Sequence, residues 1–319
     1  TNEENLKQRI KESTIPATIK NFKITTYNED STAVVIDMTD YLVSADEAID
    51  PFSPWAPILA GGERVMEKEF RRENSQVVSI KAFEDNVSVK SSLTYGLSLK
   101  NKVMYIFQRE PFTAVMTRSF ILLPEHPMRP RLADPRIAIF SQGVSVFNGD
   151  SRGAQARYYA QRWNLEPKDM EQYRKGVLTE PKKPIVFYVD NTFPENWKKY
   201  IKEGVEVWQM AFEKIGFKNA IVARDFPVDD VTFDPDNLKY SCVRYSPSWV
   251  ANAMGPSWTD PRTGEIINAS VYLYHNLVKM VQNWRFIQTG PADANVRKIV
   301  FDEETLGECI RYVVSHEIG

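Results

Sequence analysis

Histidine is scarce in this chain, with His126, His275 and His316 the only three among 319 residues. A metal site built on imidazole must therefore use one of three known positions. Cysteine is scarcer. Cys242 and Cys309 are too few for a disulfide framework, and their spacing fits no Cys-rich zinc site, so both read as small buried residues. Apolar runs are short: FILL and IVFYV are strand-sized, far below the roughly 20 residues that a membrane-spanning helix needs. Charge of one sign is missing too. A formal net charge of -2 offers no basic excess for nucleic acid phosphates or an anionic membrane, so nucleic acid is not an expected partner. The sequence opens on TNEENLKQRI, with neither a starting Met nor a signal peptide, which reads as a mature or excised product.

What is present is ample core material, 43% apolar residues against 26% charged, in a length that suits about two domains. After a lead over residues 1–17, residues 18–175 read as a β-rich domain. IKNFKITTYNEDSTAVVIDMTDYL predicts two strands around the turn NEDS. QVVSIKAFEDNVSVKSSLTYGL, VMYIFQREPFTAVMTRSFILL and RIAIFSQGVSVFN repeat the rhythm of β-branched and aromatic runs broken by Asp, Asn, Gly or Pro, which argues for an antiparallel sheet. The Pro-rich DPFSPWAPILAGGERV interrupts it as a loop, and ARYYAQRWN is helix-like. Residues 176–184, GVLTEPKKP, read as a linker.

Beyond residue 184 the pattern changes. PIVFYV is a continuously apolar strand, Thr192-Phe193-Pro194-Glu195 fits a capping box, and Ile201, Val205, Trp208, Phe212 and Ile215 recur at helical spacing before Gly216. With NAIVAR this makes a strand, helix, strand unit of the kind that builds parallel pairs. In GEIINASVYLY, Ile267, Ala269, Val271 and Leu273 alternate with Asn268, Ser270, Tyr272 and Tyr274, a half-buried pattern that predicts an edge strand. The fold class is α+β.

The chain closes on FDEETLGECIRYVVSHEIG, read as one helix. Thr305 to Glu308 can form a capping box, and Asp302, Glu303 and Glu304 suit the positive end of the dipole. Leu306, Cys309, Ile310 and Val313 predict the inner stripe. His316, seven residues past Cys309, returns to nearly the same angle and is expected to point inward. Two histidines one turn apart on a helix can give a zinc ion two neutral ligands, and a glutamate beside the first, about 100° around the helix, can take a proton from metal-bound water. This sequence holds the histidine, the glutamate and two spacers; the second histidine is missing. The plain alternative is a satisfied helix histidine beside a solvated glutamate. His126 and His275 lack helical spacing to a partner and read as structural. Trp208, Trp249, Trp258 and Trp284 read as core or cleft-wall packing, and Asp234, Asp236 and Asn237 as a turn.

On these residues the sequence resembles a known group. DPRTGEIINASVYL looks like the edge strand that metzincins place above the active-site cleft, and HEIG resembles the start of their motif His-Glu-x-x-His-x-x-Gly-x-x-His. MRPRLADPRIAIF, PIVFYVDNTFPENWKKYIKEGVEVWQMAFEKIGFKNAI and YSCVRYSPSWVANAMGPSWTDPRTGEI resemble a group of bacterial zinc-dependent metalloproteases. These carry a β-rich domain ahead of a metzincin-like catalytic domain. The resemblance implies a mostly antiparallel β domain, then an incomplete metzincin-like zincin domain over residues 185–319 with a mixed sheet plus helices. It further implies a Zn2+ cofactor with His316 as first ligand, Glu317 as general base, a peptide or protein substrate, and a place outside the cytoplasm. The later histidines, the glycine turn and the methionine turn have no counterpart here, so the chain is expected to be a fragment inactive alone. If the edge-strand reading holds, Ile267, Asn268, Ala269 and Ser270 would bind substrate by offering free backbone groups to an extended peptide. Two other readings stand beside it: a non-catalytic cell-envelope protein that binds peptide or glycan, and a remnant left by proteolysis near the active site.

Overall fold

The computed structural model describes residues 4–46, 50–52, 65–101, 103–147 and 153–319. The Pro-rich loop expected at 50–65 lies mostly outside them. The chain divides into two compact units, Asn2–Leu122 and Leu123–Gly319. The architecture is α+β, with antiparallel sheets in the first unit and a mixed sheet in the second.

The first unit begins with a helix that has no buried residue, α1 (Glu4–Ser13), and a hairpin of β1 (Ile24–Tyr27) and β2 (Val34–Ile36), where Tyr27 faces Val34 across the expected NEDS turn. After α2 (Thr39–Leu42) come three long antiparallel strands, β3 (Val65–Ala82), β4 (Asn86–Lys100) and β5 (Tyr105–Ile121). Alternation along central β4 sorts its side chains between two faces. Val89, Leu93 and Tyr95 pack with Tyr41, Leu42 and Val43. The opposite face is held by hydroxyl pairs, Ser88 to Ser119 at 3.3 Å and Thr94 to Thr113 at 3.0 Å.

In the second unit β6 (Ser141–Val146) pairs antiparallel with β7 (Gln155–Ala160). ARYYAQRWN, read as helix-like, is thus largely strand: its aromatic residues favour a pleated surface, and a partner strand is available. A short helix, α3 (Met170–Arg174), is capped by Asp169, whose side chain accepts from the Glu171 and Gln172 N–H groups. The stretch expected as a linker is tied down at Thr179, whose N–H donates to Gly216 O at 3.1 Å and whose carbonyl accepts from Lys218 N–H at 3.0 Å.

The strand, helix, strand unit expected after residue 184 is present. β8 (Ile185–Val189) lies parallel to β9 (Ile221–Asp225), with Ile185 opposite Ile221. The helical stretch between them splits into α4 (Glu195–Glu206) and α5 (Gln209–Lys214). Thr192 serves the turn before α4 rather than its cap, since its N–H and hydroxyl both donate to Asp190 Oδ1, at 2.9 and 2.8 Å. Next come β10 (Ser241–Ser246), β11 (Ala253–Met254), β12 (Ser257–Thr259), β13 (Ile266–Tyr274), α6 (Leu277–Thr289) and α7 (Glu303–Ile318). Strands β9, β8, β10 and β13 are parallel neighbours in that order, and β11 and β12 run antiparallel along the far side of β13.

One face of this sheet is covered by α4 and α7, and the core between them gathers Phe187, Val189, Ile201, Val205, Val271, Leu273 and Ile310. Each such side chain contributes roughly 1.5–3 kcal/mol of burial. The two helices meet through glycines. A Cβ on Gly204 would stand 2.8 Å from Val314 Cβ, and one on Gly307 would collide with the Tyr200 ring, so neither position has room for a side chain. Among the described residues no helix is long and apolar enough to cross a membrane.

Candidate active site

α7 starts one turn before the expected capping box. Asp302 is the cap, and its Oδ1 accepts the Thr305 N–H at 2.9 Å. That bond, and next Lys298 at 2.9 Å, hold the Asp302 carboxyl well below the usual carboxylate range. From there the helix buries Gly307, Ile310, Val313 and Val314. The stripe centres on Ile310 rather than Cys309, and seven residues past Ile310 it reaches Glu317, which is partly buried. His316 falls on the flank and is exposed, which corrects the expectation that it points inward.

Burial pushes the Glu317 carboxyl up from its ordinary value, and His316 pulls it partly back. Facing it is Gly255, in the turn between β11 and β12. A Cβ there would lie 3.4 Å from Glu317 Oε2 and would collide with the Glu317 carbonyl, so the turn approaches the end of α7 as closely as a glycine allows. Trp208 pins the same turn of α7, its Nε1–H donating to Ser315 O at 2.8 Å, and the Gly319 N–H donates to that carbonyl at 3.2 Å. Sequence reasoning missed Gly255 and the Trp208 bond; the Gly-Pro pair in AMGPSW is a turn signal that could have placed Gly255 in a turn, though not what it faces.

β13 is not an edge strand. Its residues pair with β10 on one side, Cys242 opposite Ser270, and with β12 on the other, Ser257 opposite Ala269 and Trp258 opposite Asn268. The Ala269 N–H donates to Ser241 Oγ at 3.1 Å and the Ser270 N–H to Pro256 O at 2.9 Å. The Asn268 amide is buried and donates to Leu238 O and Tyr240 O, both at 2.9 Å. Ile267, Asn268, Ala269 and Ser270 therefore offer no free edge to a peptide, and the premise for their substrate role falls. Among the described residues the open edge on this side belongs to β11 and β12, which pair only with β13.

The remaining histidines stand apart. His275 Nδ1 is 2.6 Å from Tyr245 Oη, and its ring stacks on Trp197 with centroids 5.8 Å apart. His126 is exposed. Cys242 and Cys309 are unpaired, and burial pushes the Cys242 thiol up to about 12. Asp234 and Asn237 form the turn expected of them, with the Asp236 N–H on Asp234 Oδ1 at 2.9 Å and the Asn237 N–H on Asp234 O at 3.0 Å. Trp249 is 92% exposed, so it is not core packing. A catalytic zinc takes three protein ligands, and among the described residues no three His, Cys, Asp or Glu side chains come together as a metal group. The described residues therefore do not by themselves fit a catalytic zinc.

Compared with known proteins, the chain matches no curated protein and no solved structure. One family match is found, described as Domain of unknown function (DUF5117), over residues 1–168. The match takes in all of Asn2–Leu122 and continues through the β6–β7 hairpin to the segment before α3. Because it covers more than half of the 319 residues, the chain belongs to the DUF5117 family.

Proposed function

We propose that this chain supplies part of the active site of a zinc-dependent peptidase of the metzincin-like type, with Glu317 as the general base and His316 as one metal ligand. The observation that carries this reading is the placement of Glu317: partly buried at the end of the core stripe of α7, beside His316, and facing Gly255 at the open edge of the sheet. A carboxylate whose pKa is raised by burial is a stronger proton acceptor than a solvated one once it is ionised. The open edge supplies the second element. An extended peptide laid along β12 would bond to backbone groups that β13 leaves unpaired and would pass close to the Glu317 carboxylate. The peptide-binding role thus moves from Ile267–Ser270 to Ser257–Thr259. On this reading the other metal ligands come from protein outside these residues, and the location outside the cytoplasm rests on the same resemblance.

The test uses the complete gene product. Glu317→Gln should abolish peptide hydrolysis while metal analysis still finds one zinc per chain; hydrolysis at the wild-type rate would sink the role. The exposure of His316 favours a second reading, a non-catalytic envelope protein that binds peptide or glycan. That reading expects a folded complete protein without zinc.

A further inference from the structure

A guanidinium keeps its proton, so an arginine set against apolar surface normally has an acidic partner. Three arginines of the second unit depart from this at one place. Arg129, Arg131 and Arg162 stand around a cavity of about 720 Å³ whose walls include Trp163, Leu165, Phe212 and Ile266. Arg129 and Arg131 are exposed, and Arg162 is partly buried. Arg162 donates through Nη2 to Arg129 O at 2.8 Å and through Nη1 to Trp163 O at 3.4 Å, while its buried Nε–H has no acceptor. Among the described residues none of the three forms an ion pair with a carboxylate within 4.0 Å. Glu265, whose charge acts on Arg162, already accepts the Met128 N–H at 3.3 Å. Burial, and next the like charge of Arg131, hold the Arg162 guanidinium below the usual arginine value. The cavity thus joins a surplus of positive charge to an apolar wall.

We propose that this cavity binds an organic carboxylate that carries a bulky apolar group. The carboxylate would lie beside the Arg162 guanidinium and meet the exposed Arg131 and Arg129, forming charge-assisted hydrogen bonds with them. The apolar body would lie against Trp163, Leu165 and Phe212. The volume falls within the roughly 300–1,000 Å³ typical of small-molecule sites. A small inorganic anion would leave the apolar wall uncovered, and a neutral hydrocarbon would leave the arginines unmatched. Ile318, Gly319 and Trp208 line the cavity but His316 and Glu317 do not, so the inference needs neither of them to act in hydrolysis.

Two sources share this chemistry, a free fatty acid and a peptide ending in a large apolar residue, and calorimetry on the complete gene product separates them. The probes are sodium dodecanoate and N-acetyl-alanyl-leucine with a free carboxylate, against dodecanol and the leucine amide as neutral controls. Saturable one-site binding of either acid, with its neutral counterpart at least about tenfold weaker, supports the proposal, and the acid that binds identifies the source. Arg162→Met should weaken that binding about tenfold. Should Arg162→Met melt early, Arg131→Ala decides, because an exposed side chain can be removed without touching the core, and a several-fold loss is expected. Failure of both acids to bind at millimolar concentration, equal binding of acids and neutral controls, or wild-type affinity in Arg131→Ala would overturn it.

Discussion

Gly204→Ala tests how tightly α7, and with it Glu317, is held against α4. The added Cβ would lie 2.8 Å from Val314 Cβ and 2.9 Å from both Val314 Cγ1 and Arg311 O, where carbon contacts are ordinarily about 3.5–4.0 Å. Neither neighbour can step aside. Val314 is fully buried and, being β-branched in a helix, has one favoured rotamer; Arg311 O belongs to the hydrogen-bond ladder of α7. The whole helix must shift. Overpacking of this kind costs about 1–3 kcal/mol, while alanine regains about 1 kcal/mol over glycine in helix propensity. The expected net is a loss on the order of 1 kcal/mol, which lowers the melting temperature of a unit this size by about 2–4 °C. Tryptophan fluorescence reads the right unit, because six of the seven tryptophans lie beyond Leu122. A rise in melting temperature, the propensity gain alone, would show that the two helices are not in glycine-limited contact.

Two other substitutions probe the same sheet and helix. Asn268→Ala leaves Leu238 O and Tyr240 O without their donor and should cost about 1–3 kcal/mol for each carbonyl that water cannot reach, read from urea midpoints; a neutral result would mean that Asn268 does not hold the turn. For Glu317 the folded protein binds the carboxyl proton more tightly than the unfolded chain, so the residue subtracts stability as pH rises above its ordinary value of 4.5. Glu317→Gln should therefore stabilise the fold at neutral pH and lose that advantage in acid, and a gain independent of pH would contradict the burial argument.

The strands were legible in the sequence because alternation and β-branched runs report backbone pleat directly, as in β4, β8 and β9. The parallel pairing of β8 with β9 followed from the helix between them. Two errors have a common origin, which is that periodicity reports faces and not neighbours. The polar set on β13 suggested an open edge, yet Asn268 is buried because its amide bonds two carbonyls, and β12 covers the side thought free. On α7 the stripe was anchored on Cys309, since Gly307 carries no apolar signal although it is buried against Tyr200. That shift of phase turned His316 inward on paper, whereas in the structure His316 is exposed and Glu317 is partly buried. The arginine cavity left no periodic trace, because its walls come from separate segments between Arg129 and Gly319.

The contact between Gly204 and Val314 joins points more than a hundred residues apart, whereas β3, β4 and β5 pair with their immediate successors. A chain emerging from a ribosome can close such local hairpins early, and loop-closure entropy delays the distant pairing until α7 is made. Until then Ile201, Val205 and Leu273 lack their full cover, so the nascent second unit is the part most exposed to misassociation. The carboxylate proposed as proton acceptor lies on the helix that completes this core, so Glu317 reaches its partly buried position only once that core has closed.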